Sequence, residues 1–244
     1  MPDLACQEDG RIGKVDLVSW SNARDATTGN AFSRTATAVA QAAWAARTSG
    51  RGGFVYRIYR SFFEFDTSGI TVTPQDATLK LYGAFSFTTA DVFIVKGTQS
   101  STLSNADFDS IDGWSAGADN SSNVTKYSSE VTTWNSNGSV NNITLNSDAL
   151  SDIAARAGSS TRLACLIMNH DHDYHDNING ENGSAVNATY DYWKINFNIN
   201  PSSANPPQLV VDYVEADISV EEKTKLTAKS GILKVKGGNL KIGT

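Results

Sequence analysis

The stretch from Tyr59 to Tyr82, YRSFFEFDTSGITVTPQDATLKLY, constrains the fold of this chain more than any other. It contains two runs that alternate between apolar and polar residues, with a polar, proline-containing break between them. Phe63 and Phe65 in the first run, like Leu79 and Leu81 in the second, stand two residues apart. That spacing places side chains on one face of a β-strand. The stretch therefore predicts two strands joined by a turn.

Similar runs recur along the chain, separated by segments rich in Gly, Ser, Thr and Asn. The predicted strands lie in RIGKVDLVSW (11–20), GFVYRIYRSFFEF (53–65), ATLKLYGAF (77–85), ADVFIVKG (90–97), SVNNITLN (139–146), TRLACLIM (161–168), YDYWKINFNIN (190–200) and PPQLVVDYVEAD (206–217). Many short strands with frequent turn signals are typical of sandwiches and jelly rolls. We predict an all-β fold, a β-sandwich or jelly roll with one or two short helices and a C-terminal β-hairpin tail.

Two segments are candidates for the short helices. Residues 146–158 have Asn146 or Ser147 as N-cap and Gly158 as a stop signal. Residues 37–47, TAVAQAAWAAR, are rich in alanine, the strongest helix former, although an extended loop is the alternative there.

Length and composition favour one large β domain with an extension. The chain has 244 residues, of which 40% are hydrophobic, enough for a packed core. We predict an N-terminal arm or first strand over 1–29, a sandwich domain over 30–213 and a lysine-rich extension over 214–244. No apolar run approaches the roughly 20 residues of a membrane span, so we expect no membrane insertion. The N-terminal residues do not resemble a secretory signal, so the chain either works without export or has lost its signal.

Charge is distributed unevenly along the chain. Residues 1–222 contain all 26 acidic residues and 14 Lys and Arg, a net charge of −12. Residues 223–244 contain six lysines and no acidic residue. Because an acidic body repels a phosphate backbone, we expect no nucleic-acid partner.

The basic C-terminal segment has a hairpin pattern. Two alternating runs flank Gly237-Gly238-Asn239, a turn sequence, and give one apolar and one lysine face. The predicted assembly residues are Leu233, Val235, Leu240 and Ile242 on the apolar face and Lys234, Lys236 and Lys241 on the other. An isolated hairpin is marginally stable in water, so its apolar face needs a partner. The partner is either the body of the same chain or another subunit, and the abrupt change in composition favours a role in anchoring or oligomerisation.

All three histidines lie in one segment, NHDHDYHD, directly after a buried-strand pattern. Alternation places His170 and His172 on one face and Asp171 and Asp173 on the other. Imidazole with carboxylate is a ligand set for zinc, and carboxylates alone suit calcium. These four residues are a candidate site for a structural divalent cation. The alternative is a polar strand end held by hydrogen bonds.

The two cysteines are too few and too far apart for a disulfide framework. Cys165 lies in a buried-strand pattern, where a thiol packs as a small apolar group. A bridge to Cys6 is the alternative.

Catalytic motifs are not evident in the sequence, and we do not expect an enzyme. The sequence has no GxSxG motif and no phosphate-binding glycine loop. A glycosidase needs two carboxylates close together, and no pattern selects such a pair among the 26 acidic residues. Trp114, Trp134 and Trp193 are candidates for stacking on sugar rings, although aromatic residues in such patterns also form strand cores and rims.

Three motifs give the chain a family resemblance. Residues 60–66 (RSFFEFD), 77–82 (ATLKLY) and 207–213 (PQLVVDY) resemble elements of the DNRLRE-type β-sandwich domain. The likeness spans residues 30–213, with specific motifs at both ends and a weak middle, and the helix predicted at 146–158 also lies where such domains carry one. The family has no uniform catalytic residues, so none are carried over.

The resemblance implies two settings. Such domains look like carbohydrate-binding modules of secreted surface proteins, and similar ones occur in bacteriophage virion proteins. The missing signal, the single domain and the lysine-rich tail favour the phage setting. We therefore expect a virion structural protein, displayed as a capsid decoration, head fibre or tail component. We expect it to be homo-oligomeric, with other virion proteins as partners and a host-surface glycan as a candidate ligand. The alternative is a secreted, extracellular carbohydrate-binding module or adhesin, with a polysaccharide-active enzyme as a distant third.

Overall fold

A computed structural model describes residues 3–34, 40–50, 53–70, 72–84, 90–117, 123–136, 138–156, 162–177, 190–197 and 205–213 of the chain. The described strands are β1 (Asp3–Asp16), β2 (Ala31–Ser33), β3 (Ala40–Gly50), β4 (Gly53–Phe65), β5 (Asp76–Tyr82), β6 (Val92–Lys96), β7 (Val140–Thr144), β8 (Leu163–Asn169), β9 (Tyr190–Phe197) and β10 (Gln208–Asp212). The described helices are α1 (Trp20–Arg24) and α2 (Ser147–Ala155), with a 3-10 turn at Asn105–Asp107 and a π-helical turn at His170–Tyr174. Within this part of the chain, no helix is both long and apolar enough to cross a membrane.

The chain divides into two units, Met1–Tyr213 and Val214–Thr244. Every element named above belongs to the first unit. The second unit, which includes the predicted hairpin, lies outside the described residues.

The ten strands form one antiparallel sheet with the order β6-β8-β4-β1-β10-β5-β7. The strand β2 also pairs with β1, and β3 lies between β4 and β9. The long strand β1 joins the two halves of the sheet. Its first residues pair with β10, and residues from Cys6 onward pair with β4. Residues 3–16 are therefore a central strand of the sheet.

The sheet curls so that its two halves face each other across one apolar core. The core combines Phe63, Phe65, Cys165, Ile167 and Ile94 from β4, β8 and β6 with Leu79, Leu81, Ile143, Leu209 and Val211 from β5, β7 and β10. Each of these ten side chains is at most 2% exposed. The predicted all-β, sandwich-like fold is confirmed. The alternation that predicted β4 and β5 is the alternation that fills this core.

The opposite face of β4, β8 and β6 is covered by a second apolar cluster. It includes Phe62, Phe93, Leu166 and Met168 from the strands, and Trp20 and Ala23 from α1. The strands between the two clusters are thus buried on both faces, which explains the nearly continuous apolar run of β8.

Two local predictions are corrected. Residues 40–50 form β3 rather than a helix, because pairing with β4 on one side and β9 on the other outweighs the helix preference of alanine. The first strand spans residues 3–16 rather than 11–20. Ser19 caps the N-terminus of α1 by accepting a hydrogen bond from the Asn22 amide, so Trp20 begins a helix.

The second predicted helix is confirmed as α2. The Asn146 side chain accepts hydrogen bonds from the amides of Asp148 and Ala149. Ala149 and Ile153 then pack into the core at the end of the sandwich.

Candidate functional site

The histidine segment forms a π-helical turn directly after β8. The Asn169 side chain accepts a hydrogen bond from the His172 amide at 2.8 Å, and the His175 amide donates to the His170 carbonyl at 3.2 Å. This i to i+5 closure ends the strand geometry, so the predicted alternation of His170 and His172 on one face is wrong. The turn directs its side chains to three different environments.

Asp173 enters a buried ion pair. Its two carboxylate oxygens accept hydrogen bonds from Nε and Nη2 of Arg60 at 2.8 and 2.7 Å. The Arg60 guanidinium also donates to the carbonyls of Phe108 and Arg24, and its Cζ lies 4.3 Å from the ring centroids of both Phe108 and Trp114. Arg60 is fully buried and Asp173 is 1% exposed. In this arrangement Asp173 serves as the partner of an arginine.

A second buried arginine, Arg24 of α1, completes this cluster. Its Nε donates to the Asp173 carbonyl at 2.6 Å, its Nη1 contacts Asp25 at 2.6 Å, and its Cζ lies 4.7 Å from the Trp114 ring centroid. Trp20 Nε1 donates to Asp176 at 2.8 Å. The cluster therefore fastens α1 and the π-turn to the outer face of β4.

His172 is separated from His170. It is 1% exposed, and its Nδ1 contacts the carbonyl oxygen of Asn177. The π-turn places the predicted metal ligands in pairs: His172 and Asp173 point inward, and His170 and Asp171 remain partly exposed.

His170 and Asp171 meet a carboxylate that the sequence did not suggest. His170 Nδ1 lies 2.9 Å from Asp171 Oδ1 and 3.1 Å from Glu130 Oε1. Side-chain exposure is 19% for His170, 26% for Asp171 and 36% for Glu130. Glu130 precedes His170 by forty residues and lies in a Ser- and Asn-rich segment, so no local spacing links the two. They meet because Val131 forms a bridge to Val92, beside the end of β8.

The three predicted sugar-stacking tryptophans do not form one described platform. Trp114 packs on the outer cluster beneath two guanidinium groups, whereas Trp134 packs on the sandwich core, 5.9 Å from the Phe197 ring. Trp193 lies in β9 opposite Ala45, and only its strand position is described. Trp114 and Trp134 therefore belong to packing layers on opposite faces of the sheet.

A polar cleft lies where β6 ends and β8 begins. It has a volume of about 610 Å³ and is lined by Lys96, Gln99, Arg156, Arg162 and Glu64, among others. Burial raises the pKa of the Glu64 carboxyl, and the hydrogen bond and charge of Arg162 partly oppose that rise.

Gln99 lines this cleft and has a buried side-chain amide. Its Nε2 donates to the Phe63 carbonyl at 3.0 Å, while its Oε1 is buried without a hydrogen-bond partner. The residue is 8% exposed. A ligand in the cleft as it stands cannot reach this oxygen, because the atom is shielded from solvent.

Both cysteines are free and buried. They lie in the sandwich core, where burial raises the pKa of the Cys165 thiol to about 12. The Cys165 interpretation as a core residue is confirmed, and no bridge joins it to Cys6.

The predicted assembly residues all fall in the second unit. Leu233, Lys234, Val235, Lys236, Leu240, Lys241 and Ile242 lie outside the described residues. Their role stays a prediction from sequence.

Comparison with known proteins found no match. No family model and no curated protein matches this sequence. The resemblance to the DNRLRE-type domain therefore rests on its three motifs alone.

Proposed function

We propose that the chain is a structural protein of a bacteriophage particle, displayed on its surface as a capsid decoration, head fibre or tail component. The body would be the outward-facing module and the basic segment would anchor it to neighbouring subunits.

The charge polarity carries this proposal. Residues 1–222 carry a net charge of −12, and residues 223–244, which follow them, carry six lysines and no acidic residue. Opposite charges at the two ends of a chain attract each other within a copy or between copies, and in this proposal the tail of one copy binds the body of another. The alternating pattern around Gly237-Gly238-Asn239 adds an apolar face that needs covering.

The fold of the body suits such a role. The central strands are buried on both faces, and the Arg60–Asp173 pair fixes the covering loops. A module with a core on both faces of its central strands suits a displayed domain.

Light scattering after size exclusion tests the proposal. The full chain should form a defined oligomer, and a chain ending at Tyr213 should be monomeric. A full chain with Lys234→Glu, Lys236→Glu and Lys241→Glu should dissociate, while the matched Lys→Arg triple should not. If the full chain and the truncated chain are both monomers, the proposal of homo-oligomeric assembly fails.

Glycan recognition is a second candidate function, favoured by the polar cleft. Lys96, Arg156 and Arg162 supply cationic donors there, although Lys96 and Arg156 also pair with Asp152 and Arg162 pairs with Glu64. This combination matches a sugar that carries both an anionic group and hydroxyl groups.

A glycan array comparing acidic with neutral glycans tests the second candidate. Binding restricted to acidic glycans, lost in Arg162→Ala and retained in Lys80→Ala on β5, would support recognition in the cleft. A signal that Arg162→Ala leaves unchanged would contradict it.

A further inference from the structure

Two carboxylates converge on one imidazole nitrogen at the surface end of β8. Glu130 Oε1 and Asp171 Oδ1 lie 3.1 and 2.9 Å from the same atom, His170 Nδ1. The three atoms all lie within 4.8 Å of one another.

One imidazole nitrogen offers either one proton or one lone pair, so a single N–H is shared between two carboxylates that repel each other. A cation placed among the three atoms would interact favourably with each of them. Ligand atoms about 2.0–2.1 Å from a tetrahedral zinc ion lie roughly 3.3 Å apart, so the observed separations of 3.1 and 2.9 Å are close to the spacing that zinc needs.

The surrounding structure holds the His170 ring and the backbone beside Glu130 in place. The His170 amide donates to the Asp91 carbonyl at 2.8 Å, and the His170 ring packs edge-on against Phe93 with centroids 5.3 Å apart. On the other side, Val131 exchanges two backbone hydrogen bonds with Val92, at 3.1 and 2.7 Å, directly beside Glu130. The site is therefore preorganised on two separate segments.

We propose that Glu130, His170 and Asp171 form a binding site for one divalent transition-metal ion, with zinc as the preferred physiological ion. One imidazole and two carboxylates suit zinc, whereas calcium and magnesium favour oxygen ligands alone. The partly exposed side chains leave room for water as a further ligand. The bound ion would join the segment around Glu130 to the π-turn. This site is independent of the proposed virion role.

Isothermal titration of the full, tag-free chain with zinc tests the proposal after treatment with a chelator and dialysis. The chain suits this measurement because it has only three histidines and its two thiols are buried. We expect one zinc per chain, little response to calcium, and a zinc-dependent rise in Tm. Glu130→Gln, His170→Gln and Asp171→Asn should each weaken zinc binding by about tenfold or more.

His175→Gln is the matched control, because His175 lies next to His170, with ring centroids 4.8 Å apart, but outside the three-residue set. It should retain zinc affinity. Zinc binding that survives His170→Gln, an equal loss in His175→Gln, or no zinc binding by the parent chain would each overturn the proposal. Circular dichroism of every variant without metal verifies that the fold is retained.

Discussion

Arg60 and Asp173, 113 residues apart in sequence, form a bidentate ion pair with hydrogen bonds of 2.8 and 2.7 Å and essentially no solvent exposure. The pair joins β4 to the π-turn after β8. It accounts for two features that the sequence left unconnected, the Arg60 that leads the RSFFEFD motif and one aspartate of the histidine segment.

Asp173→Asn should destabilise the protein by about 3–5 kcal/mol, because removing one partner leaves a buried guanidinium uncompensated. Chemical denaturation measures the loss. Asp3→Asn is the control, since Asp3 is exposed and lies 4.0 Å from Lys80, and it should cost less than about 1 kcal/mol. Equal costs for the two variants would contradict a structural role for the buried pair.

Asp9 should make stability depend on pH. Burial raises the pKa of its carboxyl from the usual 3.8 to about 8, and neither of its oxygens has a hydrogen-bond partner. Between these two values the folded state holds a proton that the unfolded state has released, so stability should fall as pH rises from 4 to 8.

Asp9→Asn tests this prediction, because the amide is neutral at every pH. Between pH 4 and 8, the variant should lose most of the dependence of its stability on pH. At pH 8 it should be more stable than the parent. Thermal denaturation across the pH series provides the readout, with Asp3→Asn as the control that keeps the parental slope. If Asp9→Asn keeps the parental dependence of stability on pH, groups other than Asp9 cause that dependence.

The sequence predicted the elements whose signal is local. The alternation of Phe63 and Phe65 predicted β4, and the caps of residues 146–158 predicted α2. The strand β3 was missed because the helix preference of alanine outweighed its local signal for pairing with β4, and because its pairing with β9 depends on residues distant in sequence. The contact of Glu130 with His170 was missed for the same reason, since it depends on the Val92–Val131 bridge.

The histidine segment shows a different limit. The alternation of this segment predicted a continued strand. In the structure, Asn169 instead caps a π-turn that places His172 and Asp173 in the interior. An Asn before a run of His and Asp is compatible with both outcomes. The buried Arg60, which needs a carboxylate, selects the turn.

Asn146→Ala should cost about 1 kcal/mol of stability, because it removes the side-chain acceptor at the N-terminus of α2. The Asn146 side chain also donates to the Lys126 carbonyl at 2.8 Å, so the loop before β7 should loosen with it. Urea denaturation compared with Asn142→Ala, an exposed position on β7, checks the prediction. An equal loss of stability in Asn142→Ala would contradict the prediction.

Gly113 and Gly117 form a matched pair for a backbone test. Both have positive φ, at +78° and +72°, so alanine strains the backbone at either site by about 1 kcal/mol. At Gly113 a Cβ would also overlap the backbone carbonyl of Asn123, whereas the space at Gly117 is open. Gly113→Ala should therefore lower Tm by clearly more than Gly117→Ala, and a reversed order would contradict the packing of this loop.

The mass of the full chain in solution at physiological salt tests the central proposal most directly. Multi-angle light scattering should give an integral multiple, above one, of the 26.1 kDa chain mass. The mass should fall to that of one chain when Lys234, Lys236 and Lys241 are replaced by glutamate. A parent that is already monomeric at every concentration measured, with binding only to an acidic glycan, would contradict assembly through the basic segment and favour the glycan-binding alternative.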